Sequence, residues 1–503
     1  MATSTMTDAP SRGLEARDLP PLKRLTSFPV LLVALLAAAI FVPLRDFTLE
    51  PDVWWHIRVG QDILTTHTLP TVDTYSFTAR GTPWISGEWL GEALLAAVKQ
   101  TWGFRGLLAL NLILGTAILT GIYILASLRS RNSKAAFVAC GLLLFLTAGF
   151  FTLRPQMLGY LFLVLTLIIL ERFRQGRGET LWLLPPLFLV WVNTHGSFMV
   201  GFFAVAVYGI AGLVEFRKGG LYSVAWSPSQ RIRLGLVFLA SLIALAITPY
   251  GTKLAAYPLD MAFSQPGVVA NLQDWQPIPL NAPVGQLFLA LVVGFLLVQV
   301  VLRCTWHLAE FTLFLVGTVA ACLHVRFLLL FVPFCAPLLA VILSNWIPPY
   351  QPSKDKHMLN ALLVTAIAVG IIRFFPSTER LKSQVAEHWP VKSVQYLKDH
   401  PPPQPMFNTY GYGGYMMYAL DGQIKVFIDG RAEVYEHSGV LGDYLKIAGL
   451  APNALLLLRA YNVQSCLIGR DEPLATLLAA SSQWQKTYAD DRSVLFVRSQ
   501  PRK

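Results

Sequence analysis

Eight side chains carry most of the chemistry this sequence can offer: Glu50, Asp52, His56, Glu88, Arg154, His195, Asp274 and Arg326. Each lies near the end of a long apolar run. An ionisable group in such a place costs free energy unless it faces water or a partner, so each is a functional candidate by default. The densest signal is Leu49-Glu50-Pro51-Asp52-Val53-Trp54-Trp55-His56-Ile57-Arg58, which sets two carboxylates on the chain just as it leaves an apolar helix. A carboxylate at the rim of a low-dielectric cavity can accept a proton from an attacking hydroxyl or orient a cation. Structural alternatives stand beside these readings: a solvated acidic loop, an aromatic belt for Trp54 and Trp55, Arg154 snorkelling to headgroups, His195 satisfied by a carbonyl.

The elements that must position these groups follow from composition. Of 503 residues, 54% are hydrophobic and only 14% charged, with a mean hydropathy of +0.52. No soluble domain of this length hides so much apolar surface, so the bilayer is the solvent. The formal charge of +11 resides in short Lys/Arg clusters between apolar runs, a pattern of membrane topology and not of nucleic-acid binding. Five cysteines are too few and too scattered for a disulfide framework, and Cys140, Cys322 and Cys335 read as membrane-buried thiols, while Cys466 has no evident redox role. The opening 27 residues are polar, with Arg12, Arg17, Lys23 and Arg24, and no small-residue cleavage site follows the first apolar run, which therefore reads as a retained helix.

Apolar segments near 28–45, 106–128, 135–153, 157–171, 181–194, 197–214, 234–249, 285–302, 308–322, 326–345 and 358–375 predict about eleven crossings. With the N-terminus in the cytoplasm, Arg129, Arg131 and Lys134 fall inside, as do Arg172, Arg174 and Arg177. The same holds for Arg217 and Lys218, Arg231 and Arg233, Arg303, and Lys354 and Lys356. That consistency requires 88–101 not to span, and with Glu88, Trp89, Glu92 and Lys99 it reads as an amphipathic helix along the interface. The outer side then receives loop 46–105, Arg154-Pro155, Asn193-Thr194-His195-Gly196, Pro249-Tyr250-Gly251 through Asp274-Trp275, and His324 with Arg326.

An acidic pair after helix one, an amphipathic helix, then a small-Pro-aromatic step into a second interfacial helix resembles the opening of the C-type (GT-C) glycosyltransferase superfamily. Bacterial aminoarabinose transferases and protein mannosyltransferases belong to that group. Glu50-Pro51-Asp52 is similar to its first-loop acidic motif in the Glu-x-Asp form, and Gly81-Thr82-Pro83-Trp84 to its Gly-x-Pro-aromatic step. The match covers about the first 200 residues. Arg154-Pro155-Gln156, Trp191-Val192-Asn193-Thr194-His195-Gly196, Pro249-Tyr250-Gly251 and Val426-Phe427-Ile428-Asp429-Gly430-Arg431 resemble a subgroup of large bacterial membrane proteins on the same plan. The adjacent acidic pair of the mannosyltransferases is absent, and Ser86-Gly87-Glu88-Trp89 stands where Lys-Pro-Pro often follows the aromatic step.

The resemblance implies a transferase of the bacterial inner membrane. It would take a sugar from a polyprenyl-phosphate carrier to a lipid, glycan or protein acceptor outside the cytoplasm. Asp52 would be general base or acceptor-orienting carboxylate, with Glu50 as helper. Arg154, His195 and Arg326 have the chemistry and the predicted side to meet the leaving phosphate, with His56, Glu88 and Asp274 completing the substrate-binding set. Some relatives use a divalent cation, for which Glu50, Asp52, His56 and Glu88 could supply ligands. The rival reading is a transporter or flippase for a lipid-linked sugar or anion, with the same cations along a pathway. A third is a scaffold whose exported domain binds.

Past the last span the composition turns mixed. Helix-like 391–398, 453–461 and 474–480 alternate with strand-like 425–428, 463–468 and 493–497, predicting a small α/β domain over 376–503 outside the cytoplasm. The fold class is thus a polytopic helical membrane protein, its spanning unit at 28–375, with a C-terminal α/β extracytoplasmic domain. Tyr410, Tyr412, Tyr415 and Tyr418 around Gly411, Gly413 and Gly414, with Asp429 and Arg431, suit either an acceptor glycan or a tight turn with a structural ion pair.

Overall fold

The computed structural model describes residues 20–46, 49–263, 266–271 and 273–499. Arg12 and Arg17 of the N-terminal tail lie outside the described residues. Each predicted apolar run carries a helix: Phe28–Leu44, Trp89–Ser130, Ser133–Thr147, Gln156–Arg174, Leu184–Val192, Phe198–Leu213, Pro228–Ala244, Pro283–Leu302, Leu308–Leu323, Leu328–Leu343 and His357–Arg373. Among the described residues four stretches are long and apolar enough to cross a bilayer singly: Trp89–Ser130, Gln156–Arg174, Pro283–Leu302 and Val325–Leu343. The pair His357–Arg373 and Thr378–His388, bent by 62°, makes a fifth when the two helices are taken as one broken span. Proline opens several helices at the first or second position, as in Phe28–Leu44, Pro51–Thr66 and Pro283–Leu302, where its missing N–H is no loss.

The segment 88–101 is helical as expected, and it runs on into the next apolar run as one helix, Trp89–Ser130. Gly103 interrupts it at φ 61°, ψ −151°, a conformation open to glycine alone at low cost. The break allows the polar first section to point away from the axis of the apolar second one.

The predicted basic loops converge at one end of the bundle. Arg129 Nε lies 2.6 Å from Glu310 Oε1, and Arg174 Nη2 lies 2.7 Å from the same oxygen and 2.8 Å from Glu171. Beside them a small sheet joins β1 (Phe216–Lys218), β2 (Leu221–Ser223) and β3 (Trp306–His307). Arg154 and Arg174 flank a single 19-residue helix, so the two ends stand about 28 Å apart.

The C-terminal unit carries a sheet of β4 (Met406–Asn408), β5 (Ser465–Gly469), β6 (Trp484–Ala489) and β7 (Ser493–Arg498), in the order β4-β5-β7-β6. β4 and β5 are parallel; β7 is antiparallel to both β5 and β6. Two features differ from expectation. Residues 425–428 form no strand beyond one bridge from Val426 to Ser76, because the Asn408 side chain takes the Phe427 N–H (2.7 Å) and donates to the Ile428 carbonyl (2.8 Å). The tyrosine-glycine stretch is no tight turn but a helix, Tyr410–Ala419, whose Gly413 and Gly414 let it lie directly on Ile428 and Pro51.

One apolar core fills the helix bundle. A second is shared between the first loop (Val53, Trp54, Ile57, Trp84) and the C-terminal unit (Trp389, Tyr415, Phe427, Tyr435). Trp54 is fully buried between Tyr415, Trp389 and Phe104, at centroid distances of 4.9, 5.7 and 6.2 Å. Such edge contacts contribute about 0.5–1.5 kcal/mol each beyond area burial. The acidic first-loop helix is thereby fixed to the C-terminal sheet unit. Cys140, Cys335 and Cys466 are buried and Cys322 is exposed on the bundle surface; all five cysteines are free thiols.

Candidate functional site

At the end of the bundle away from Glu310, the starts of several helices meet. Glu50 caps Pro51–Thr66, Glu88 caps Trp89–Ser130, and Arg154 precedes Gln156–Arg174. The Leu90 N–H donates to the Asn193 carbonyl (3.1 Å), and Trp89 Nε1 donates to Asn193 Oδ1 (2.9 Å), which docks 193–197 against the same point. Helix N-termini carry partial positive charge, so their meeting favours carboxylates and bound anions.

Arg154 ties the carboxylates together. Its guanidinium pairs with Glu50, and its Nη1 lies 3.4 Å from Asp52 Oδ2 and 3.3 Å from Asp274 Oδ2. Trp55 Nε1 donates to Asp52 Oδ1 at 3.3 Å. Burial, with Asp274 and Glu433 adding negative charge, lifts the Asp52 carboxyl to about 7, against the opposing pull of the Trp55 hydrogen bond and Arg326. The side chain retains 27% exposure, so it faces a cleft rather than packed protein. Arg326 lies over the Trp275 ring at 4.4 Å and, among the described residues, has no carboxylate partner. It is the least compensated cation of the cluster.

A second group runs inward from the cluster. His195 Nε2 is 3.2 Å from Glu88 Oε1, His56 Nε2 is 3.5 Å from Glu88 Oε2, and His56 Nδ1 is 3.3 Å from Glu92 Oε1. Ser86 Oγ closes the row on Glu92. Burial depresses both imidazoles, His195 to about 3 with help from Arg326, His56 and Arg154, and raises Glu88 well above the usual carboxylate range. One proton arrangement satisfies every member. The His195 Nδ1 accepts from the Ser197 N–H (3.0 Å), so its Nε2 carries the proton toward Glu88. A protonated Glu88 then donates to His56, whose Nδ1–H faces Glu92. His195 therefore presents an N–H donor, one of the two roles, proton or hydrogen-bond donor, that its residue type allowed.

The structure brings all eight sequence candidates to this end of the fold and adds others. Glu92 lies four residues beyond Glu88 on the same helix, a spacing that places both on one face. Trp55 was visible only as an aromatic. Glu433 comes from the C-terminal unit, where it accepts from Trp84 Nε1 (3.3 Å), and burial raises its carboxyl. Gly430 lies against Asp52: a Cβ there would stand 2.2 Å from Asp52 Oδ1 and 2.8 Å from Trp55 Nε1. Asp429 and Arg431 form the ion pair set out as the structural alternative, with Nη2–Oδ2 at 2.7 Å and a further pairing of Arg431 Nη1 to Asp73 at 2.8 Å.

Glu50, Asp52, His56 and Glu88 do not form the cation site their types allowed. Among the described residues no three such side chains meet in metal-binding geometry. Arg154 occupies the space between Glu50, Asp52 and Asp274, and His56 is taken up by Glu88 and Glu92.

No protein-family model matches the chain, and no curated protein matches it in sequence. Its structure is similar to that of ArnT from Cupriavidus metallidurans, solved bound to undecaprenyl phosphate, with a TM-score of 0.51 and 13% identity over 94% of this chain and 98% of that one. Apo ArnT gives the same TM-score over 93% and 97%. An Archaeoglobus fulgidus oligosaccharyltransferase tethered to an acceptor peptide matches with a TM-score of 0.49 and 13% identity, over 93% and 74%. The chain shares the fold of ArnT, a helical bundle followed by a small C-terminal sheet unit, as the first-loop resemblance implied.

Proposed function

We propose that this protein is a membrane glycosyltransferase that moves a sugar from a polyprenyl-phosphate carrier to an acceptor hydroxyl. The observation that carries the reading is the placing of Asp52, part-exposed with its Oδ2 3.4 Å from Arg154 Nη1 and with Arg326 nearby, where desolvation pushes its carboxyl up to about 7. A base with a pKa near ambient pH combines adequate ionisation with adequate basicity. ArnT, on the same fold, binds undecaprenyl phosphate.

In this reading Asp52 takes the proton of the acceptor hydroxyl as its oxygen bonds to the anomeric carbon. The bond from that carbon to the carrier oxygen breaks, and polyprenyl phosphate leaves with the electron pair. Arg326, lacking a carboxylate partner among the described residues, meets the charge that develops on the phosphate. Arg154 is already committed to Glu50, Asp52 and Asp274, and its task is to hold Asp52 in place. The positive-inside rule puts the Arg129 and Arg174 end in the cytoplasm, and so the site and the 376–503 unit outside the inner membrane. A transporter would set its ionisable groups along a path through the bilayer. Here the two buried charge clusters sit at opposite ends of the bundle, which favours surface chemistry.

The test is consumption of a radiolabelled polyprenyl-phosphate sugar by purified protein in nanodiscs. Asp52→Asn is expected to lower turnover by about 10²–10⁴-fold. Turnover unchanged by the substitution would overturn the assignment, and passage of the lipid across vesicles without sugar release would favour transport.

A further inference from the structure

A cavity of about 630 Å³ lies beside the Asp52 cluster, walled by the first loop, by 249–260 and by the Ala432–His437 helix of the C-terminal unit. Its volume falls in the range of about 300–1,000 Å³ typical of small-molecule sites. Trp84, Tyr250 and Tyr257 supply its aromatic surface. The Tyr250 hydroxyl is already engaged, donating to the Pro70 carbonyl (2.9 Å) and accepting from the Ser86 N–H (3.3 Å), which leaves its ring as the available surface. Lys253, Asp260, Glu433 and His437 supply polar groups.

The cavity abuts the proposed chemistry. Tyr257 packs on Gly87, next to Glu88, with ring carbons 3.0 Å and 3.1 Å from where a Gly87 Cβ would stand. Glu433 is near enough to Asp52 to raise its carboxyl. Asp52 thus has Asp274 and Arg326 among its neighbours on the phosphate-binding side and Glu433 from the cavity wall.

The charges lining the cavity nearly balance. His437 Nε2 lies 3.6 Å from Asp260 Oδ2, and Glu433 is biased by burial toward its neutral form, which both donates and accepts. A phosphate would meet Lys253 but also two carboxyl groups, and a cationic peptide would meet the Lys253 ammonium. A neutral polyhydroxyl ligand suits the lining: ring C–H faces would lie on Tyr250 or Tyr257, and hydroxyls would reach Glu433, Asp260 and Lys253.

Resting on the glycosyltransferase reading, we propose that this cavity is the acceptor site, that the acceptor presents a neutral carbohydrate to it, and that Glu433 and Tyr257 read that carbohydrate. The C-terminal unit would then select the acceptor while the membrane unit supplies donor and base.

The test uses full-length protein in nanodiscs and cellobiose as probe, with saturation transfer from protein to the sugar C–H protons as readout. Cellobiose is expected to bind, competing with neither inorganic phosphate nor a Gly-Lys-Gly tripeptide. Tyr257→Phe keeps an aromatic platform and is expected to bind within about threefold of wild type, whereas Tyr257→Ala and Glu433→Gln are each expected to weaken binding about tenfold. Asp52→Asn is expected to bind cellobiose normally while failing to consume donor, which separates this proposal from the catalytic one. Absence of sugar binding, or displacement of the sugar by the tripeptide or by phosphate, would overturn it. A wild-type protein that binds cellobiose but never consumes the polyprenyl-phosphate sugar would instead overturn the enzymatic reading on which the acceptor role rests.

Discussion

If Asp52 is the base, the pH dependence of kcat/KM is set by its neighbours, and each neighbour moves it in a stated direction. The base works ionised, so activity rises with pH and levels off above about 7, the position burial gives its carboxyl. A phosphodiester donor has no group titrating near neutral pH, so this acid limb belongs to the protein. Asp274 and Asp52 both touch Nη1 of Arg154, at 3.3 and 3.4 Å, and their carboxylate oxygens are therefore no more than about 7 Å apart. At that distance and an effective dielectric constant of about 40–80, suited to an Asp274 side chain 53% exposed, like charges repel by about 0.6–1.2 kcal/mol. Asp274→Asn removes that repulsion and frees Arg154 for Asp52, so the limb shifts to lower pH by about half to one unit.

Arg326→Met acts with the opposite sign, because a positive neighbour favours the ionised carboxyl. Its limb moves up while the plateau falls through loss of the phosphate partner. The assay is the initial rate of sugar release at limiting donor between about pH 5 and 9, where the free-enzyme ionisations are read. A flat profile in the wild type, or a downward shift in Arg326→Met, would refute the reasoning, since neither is compatible with Asp52 titrating in this electrostatic setting.

Other perturbations test the frame around the site. Arg431 is fully buried with Asp73 and Asp429, its guanidinium over the rings of Tyr75 (4.9 Å) and Trp84 (4.6 Å). Arg431→Met leaves two buried carboxylates without a counter-charge and is expected to lower stability by about 3–5 kcal/mol, with much of the loss recovered when Asp73→Asn and Asp429→Asn are added; thermal unfolding in nanodiscs measures both. Gly60 is the crossing point of the first-loop helix over Trp89–Ser130, where an added Cβ would fall 2.1 Å from the Glu92 carbonyl oxygen. Gly60→Ala is expected to cost about 1–3 kcal/mol and to part His56 from Glu92, seen as a lower unfolding temperature together with altered His56 NMR shifts.

The helices of this fold were legible because the bilayer imposes long apolar runs, and the eight candidate residues were legible because polar groups at the ends of such runs are costly. Asp52 and Arg154 meet because the same membrane end receives the start of both their helices. What escaped the sequence depends on contacts between distant segments. Trp84 and Glu433 are 349 positions apart, and nothing local to either announces the other. Residues 425–428 have strand-like composition, yet one Asn408 side chain supplies the hydrogen bonds a neighbouring strand would otherwise give. The downward shift of His195 was not legible because it depends on desolvation and on Arg326, His56 and Arg154, which only the folded chain assembles.

Those long-range contacts bear on how the two parts of the molecule work together. The core that buries Trp54 also buries Tyr415 and Phe427, so the helix bearing Asp52 cannot shift without disturbing the C-terminal unit. Gly430 sharpens the point, because no larger residue fits between its backbone and Asp52 Oδ1. A hinge between membrane and C-terminal parts would have to break a shared core, a buried Arg431–Asp73 pair and this close approach at once. The C-terminal unit is therefore a fixed wall of the site and not a tethered binding module. If the cavity is the acceptor site, selectivity lies in the shape of a preformed cleft, whose cost of ordering is met in folding rather than on each encounter.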